Sequence, residues 1–193
     1  LLKPTSGEIY IDGKKNTEDR EETLSKINFI SPYVELPKKL TVKQNLTVYG
    51  KLYDIPDINT TIDFLTEKLR LGSLLDRVTG ELSSGQKNRV SLAKALINNP
   101  KVLFLDEPTA SLDPEVGDFV RTFLENYKKE NNISILLASH NMNEVTRLCK
   151  SILMLKNGRI IDQGSSSHLI SKHGRKNLEE VFLKLSRSND VFN

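Results

Sequence analysis

Residues 82–114 read LSSGQKNRVSLAKALINNPKVLFLDEPTASLDP. Near its centre, Val102-Leu103-Phe104-Leu105 is a fully apolar run of strand length that delivers two adjacent acids, Asp106 and Glu107. In an open parallel sheet, ligands sit at the carboxyl ends of the strands, where these acids fall. Adjacent carboxylates are costly to bury there unless a divalent cation compensates. The first acid then suits a metal such as Mg²⁺, and the second suits orienting or deprotonating a water. A strand running into an acidic loop accounts for the two acids equally well when they are taken alone. In the first half of the stretch, Ser83-Ser84-Gly85-Gln86 precedes a helix whose inner face is Val90, Ala93, Leu96 and Ile97. Uncovered N–H groups at the positive end of a helix dipole, beside hydroxyls, make an anion site. An ordinary helix cap is the bland alternative.

Outward from this stretch, strands and helices alternate. Residues 8–12 alternate like a strand into a turn at Gly13, residues 14–22 read as a charged turn region, and Ile27–Ile30 is a short apolar run ended by Ser31-Pro32. From Thr41 to Leu75 the period is helical. Thr41 and Gln44 have capping-box spacing, with apolar stripes through Val42, Leu46, Tyr49 and Tyr53 and then Ile62, Leu65 and Leu69 before Gly72. Beyond Asp113 the pattern gives a helix near 115–129, a strand 133–138, a helix 142–148, and paired strands 152–155 and 159–163 around Asn157-Gly158. Strand, helix, strand at this spacing predicts an α/β fold with a mostly parallel sheet. The block near 41–90 is expected as an inserted helical subdomain, and 165–193 as a helical tail, in one domain spanning 1–193.

Composition narrows the function classes. Of 193 residues, 37% are hydrophobic and 27% charged, a soluble globular balance. No apolar run approaches the ~18 residues of a spanning helix, so any membrane connection is expected through a partner. A net charge of +3 from 28 basic and 25 acidic residues, without a basic block, predicts no nucleic-acid partner. The single Cys149 excludes an internal disulfide framework, and the three scattered His offer no zinc spacing.

The ordered motifs resemble those of ATP-binding cassette (ABC) ATPases. Leu82-Ser83-Ser84-Gly85-Gln86 is similar to their signature, Val102–Asp106 to their Walker B strand, Glu107 to their catalytic glutamate, Ser111-Leu112-Asp113 to their D-loop, and Ser139-His140 to their switch histidine. The resemblance implies a P-loop NTPase-like sheet and ATP with Mg²⁺ as cofactors. Asp106 would hold the metal, Glu107 would polarise the attacking water, and His140 would contact the γ-phosphate. Ser83, Ser84, Gly85 and Gln86 would face the ATP of a second cassette in a head-to-tail dimer. Ser111 and Asp113 would lie at that interface, with Asp113 helping to link the two sites.

The family's phosphate-cradling loop, G-x-x-x-x-G-K-[ST], does not occur in this sequence. In the family it lies upstream of the segment that Leu1–Gly13 resembles. Leu1 is therefore expected to fall in the middle of a domain, with the first strands and the Walker A loop before it, and the chain alone is expected to be inactive. Two positions depart from the family pattern: Ser84 replaces a Gly, and Ser31 stands near a Gln that touches the metal, which makes Ser31 a candidate metal ligand.

The expected function is the ATP-hydrolysing subunit of a membrane transporter, peripheral on the cytoplasmic face and paired with a transmembrane permease subunit. The tail stripe Leu178, Val181, Phe182 and Leu185 resembles exporter cassettes. The alternatives are half of a soluble tandem cassette acting on the ribosome and a non-hydrolysing cassette partner.

Overall fold

The computed structural model describes residues 4–16, 20–110 and 112–187. The chain divides into two compact units, residues 1–138 and 139–193.

The first unit opens on a hairpin, β1 (Tyr10–Ile11) against β2 (Lys14–Lys15), followed by the short helix α1 (Arg20–Ser25). This corrects the charged turn expected over 14–22. Asp12 and Gly13 both take positive φ (52° and 75°), the geometry of a two-residue hairpin loop, and the lysines form ion pairs with Glu8 and Glu22. Strand β3 (Ile27–Ile30) pairs parallel with β4 (Val102–Asp106), which pairs parallel with β5 (Ser134–Ala138), so β4 is central. The register sets Ile30 opposite Leu105 and Asp106 opposite Ala138. The residue after Ile30, Ser31, is thereby delivered beside Asp106.

Between β3 and β4 lie α2 (Val42–Leu52), α3 (Ile58–Lys68), 3₁₀ turns at Gly72–Leu74 and Thr79–Glu81, and α4 (Ser84–Leu96). The stripe expected on α2 is half right. Val42 and Leu46 are fully buried, but Tyr49 and Tyr53 are half-exposed, and the buried face is completed by Asn45 and Gly50. At Gly50 a Cβ would sit 1.9 Å from Ile58 Cδ1, so glycine lets α3 approach. The Asn45 amide donates to the carbonyls of Pro37 and Thr41 at 3.2 and 3.1 Å, fixing the chain that runs from β3 into α2. Helix α4 is buried on most of its surface, with Val90, Leu92, Ala93, Leu96 and Ile97 nearly sealed. Each of these valine, leucine and isoleucine side chains contributes roughly 1.5–3 kcal/mol by burial.

Lys94 joins α4 to β3. Its ammonium lies over the Phe29 and Tyr49 rings at 4.6 and 5.4 Å and donates to Asn28 Oδ1 and the Phe29 carbonyl. Burial pushes its pKa down. Helix α5 (Pro114–Asn131) then connects β4 to β5 and ends at Asn132 with φ 50°, a left-handed cap.

The second unit carries α6 (Met142–Leu148), the antiparallel pair β6 (Ile152–Lys156) and β7 (Arg159–Gly164), α7 (Ser166–His173) and α8 (Leu178–Arg187). Asn157 and Gly158 take positive φ at the hairpin turn, as the Asn-Gly pair predicts. On α8, Leu178 and Val181 are buried, whereas Phe182 is 39% exposed, so the tail stripe is only partly covered.

Candidate ATP-hydrolysing site

The acids stand where the sequence puts them, at the carboxyl end of the central strand. Asp106 closes β4 and is half-buried, and its Oδ2 accepts from Ser31 Oγ at 3.0 Å. The parallel register brings Ser31, a position that departs from the family pattern, to the acid. Glu107 follows with φ 47°. Its N–H donates to the Ala138 carbonyl at 2.8 Å and its carbonyl accepts from Ala110 N–H at 3.1 Å.

The donor set at this tip, a carboxylate and a hydroxyl at Asp106 and Ser31 beside the Glu107 carboxylate, consists of hard oxygens, which suits Mg²⁺. Among the described residues no group of three or more His, Cys, Asp or Glu could cage a metal. Mg²⁺ fits such a place because it binds through one or two carboxylates and completes its shell with water and substrate phosphates.

Ser83 is the N-cap of α4. Its Oγ accepts from Gln86 N–H at 3.3 Å while Gln86 Oε1 accepts from Ser83 N–H at 3.0 Å, a complete capping box. The Gln86 side chain, expected to reach a phosphate, is turned back onto the cap. The N–H groups of Ser84 and Gly85 find no acceptor among the described residues, and Ser84 is exposed. Open donors at the start of a thirteen-residue helix are what an anion site requires.

Ser31, Ser84 and Glu107 line one cavity of about 220 Å³, together with Lys87, Asn88 and a mainly apolar wall. Asp113 caps α5, its Oδ1 accepting from Val116 N–H at 3.0 Å. Ser111 lies outside the described residues.

His140 belongs to the second unit, in the turn before α6, and is exposed. Its neighbours are stapled to that helix. Ser139 Oγ donates to Glu144 Oε2 at 2.7 Å and accepts from Asn141 N–H at 3.1 Å, and Asn141 Oδ1 caps α6. Glu144 is 1% exposed.

Sequence reading missed Asn88 and Glu144. Asn88 Nδ2 donates to the Pro108 carbonyl at 2.7 Å, behind Glu107. Asn88 carries no signal among its polar neighbours Lys87 and Arg89; for Glu144 the available signal was a Ser-His-Asn-x-x-Glu spacing at a helix start.

A parallel sheet with acids at its central strand tip and a helical insert between two of its strands is the cassette fold, shared with solved ABC transporter subunits. The family described as ABC transporter matches residues 1–110. The methionine import ATP-binding protein MetN of Geobacillus kaustophilus is 34% identical over 88% of this chain and 51% of its own length. The ABC transporter ATP-binding protein NatA of Bacillus subtilis is 31% identical over 95% of this chain and 75% of its own. The structure of cbiO1 from Clostridium perfringens, described as part of the ABC transporter complex cbiONQ, superposes with a TM-score of 0.78 at 31% identity, covering 97% of this chain and 76% of that one. This chain belongs to the ABC transporter family, among its ATP-binding subunits. It spans about half the length of MetN.

Proposed function

We propose that the chain contributes to ATP hydrolysis that drives transport through a membrane partner, working head to tail with a second cassette. The observation that carries this reading is the Asp106–Glu107 pair at the tip of the central strand, with Ser31 hydrogen-bonded to Asp106. Asp106, with Ser31 behind it, would hold Mg²⁺, which when bound offsets charge on the phosphate oxygens. Glu107 accepts a hydrogen bond from the attacking water and so orients its oxygen toward the γ-phosphorus. The open Ser84 and Gly85 N–H groups receive a phosphate of the nucleotide held by the second cassette, where the helix dipole favours negative charge.

Among the described residues no helix is long and apolar enough to cross a membrane. On this reading the chain is a peripheral subunit on the cytoplasmic face that reaches the bilayer through a permease subunit; cbiO1, similar in fold and sequence, is described as part of a transporter complex. Export, the direction expected from the tail stripe, gains no support. A relative named for methionine import matches 88% of this chain.

The test is steady-state ATP hydrolysis by the full-length protein, wild type against Glu107→Gln. Loss of a positioned base lowers kcat by roughly 100-fold or more, with ATP binding retained. Equal rates would sink the hydrolytic role of Glu107.

A further inference from the structure

The backbone of Glu107 needs support. Of the described non-glycine residues with positive φ, Asp12, Asp54, Asn99, Asn132 and Asn157 are types that tolerate the left-handed region, leaving Arg70 and Glu107. A side-chain-bearing residue stays there only where its surroundings over-determine it. Two of the holding bonds come from the main chain: Glu107 N–H to the Ala138 carbonyl, and Ala110 N–H to the Glu107 carbonyl. The third comes from α4. Asn88 Nδ2 donates to the carbonyl of Pro108, the residue directly after Glu107, at 2.7 Å. Pro108 is buried and has no N–H, so its carbonyl is the one polar group by which it can be held.

Asn88 lies one turn along α4 from Ser84 and Gly85, on the same side of the helix. Gly85 lets this turn lie close to the start of α5, since a Cβ there would stand 3.3 Å from a Val116 methyl. The turn proposed to read the partner's nucleotide and the loop carrying Glu107 are therefore tied through Asn88 within one chain.

We infer that Asn88 is a positioning residue for Glu107: by holding the Pro108 carbonyl it fixes the peptide that follows the glutamate, and it couples that geometry to the Ser84–Gly85 turn. For its effect on turnover the inference rests on the hydrolytic role of Glu107 given above; for its effect on the loop it does not.

The experiment uses the full-length protein with Asn88→Ala, Asn88→Asp and Asn88→Gln. Asn88→Asp keeps the volume and removes the donor, so it reports on the bond even where the alanine variant unfolds. Both donor-free variants lower kcat roughly ten-fold at unchanged KM, because a small misplacement of a reacting group is costly. Asn88→Gln, which keeps an amide, retains most of the rate. Amide hydrogen exchange speeds up at Ala110 and Glu107 in the donor-free variants and stays at the wild-type level in the rest of α4. Wild-type exchange at Ala110, an exchange change spread over all of α4, or a glutamine variant as slow as alanine would each overturn the assignment. If the wild type and Glu107→Gln hydrolyse ATP equally, the hydrolytic reading has failed, and exchange at Ala110 still decides whether Asn88 holds the loop.

Discussion

Helices α2 and α4 begin with the same chemistry. Thr41 and Gln44 close one capping box, Ser83 and Gln86 the other, with the same reciprocal hydrogen bonds. The next two N–H groups separate them. At α2, Val42 N–H donates to the Arg77 carbonyl at 3.0 Å and Lys43 N–H to the Leu75 carbonyl at 2.9 Å, so the helix start is filled by its own domain. At α4 the equivalent donors, on Ser84 and Gly85, have no acceptor among the described residues. A cap spells a helix start in both places; only the neighbouring backbone decides whether that start is closed or left for an anion.

The sharpest way to break this contrast is to place a carboxylate at each helix start. Ser84→Glu sets a negative charge where a phosphate is proposed to bind, and hydrolysis falls by roughly 100-fold, the size of effect seen when preorganised anion stabilisation is lost. Lys43→Glu, at a start already occupied by carbonyls, leaves the rate near wild type and raises stability by up to roughly 1 kcal/mol through the helix dipole. Steady-state rates and thermal midpoints of the two variants decide it. Equal loss in both would mean that the open donors at α4 carry no function.

The contrast also shows what the sequence can express. The strand running into Asp106-Glu107, the parallel character of the sheet, and the Thr41–Gln44 box are legible because each follows from residue types and their spacing along the chain. Ser83-x-x-Gln86 has the spacing of Thr41-x-x-Gln44, yet the expectation that Gln86 reaches a phosphate overlooked that its side chain closes a box. The positive φ of Glu107, the Asn88–Pro108 bond and the Asn45 amide under the Pro37 and Thr41 carbonyls are not legible, because each depends on segments that meet only after the sheet and helical layer have packed. Ser31 falls between these cases. Counting residues brings it near the right position, but only strand register puts it 3.0 Å from Asp106.

Removing the caps sharpens the comparison at lower cost. Thr41→Ala and Ser83→Ala each lose about 1 kcal/mol of stability, the usual price of an N-cap. Thr41→Ala leaves hydrolysis at the wild-type rate under conditions where the protein is folded. Ser83→Ala also slows it a few-fold, since the cap orients the first turn whose open N–H groups meet the phosphate. Denaturant midpoints together with turnover measured well below them separate the two effects. A Thr41→Ala variant that slows as much as Ser83→Ala would erase the distinction.

The smallest effect tests a third helix start. Helix α7 opens on Ser165, whose Oγ accepts from His168 N–H at 3.2 Å, and its other end is fastened by charge. There Lys172 Nζ and His173 Nε2 reach the two oxygens of Asp162 at 2.7 and 2.6 Å. The Lys172 ammonium, helped by His173 and Gln163 N–H against the opposing cost of burial, lowers the Asp162 pKa from 3.8 to about 2. A carboxyl whose folded value is depressed contributes stability that is fully present above its unfolded value and is lost as pH falls through the folded one. Asp162→Asn should therefore lower the thermal midpoint by a constant amount at pH 5 and above, and the gap to wild type should close between about pH 4 and pH 2. Thermal denaturation of both proteins across that range measures it. A gap that persists unchanged at pH 2 would show that α7 is held by packing and its Ser165 cap rather than by the Asp162 charge.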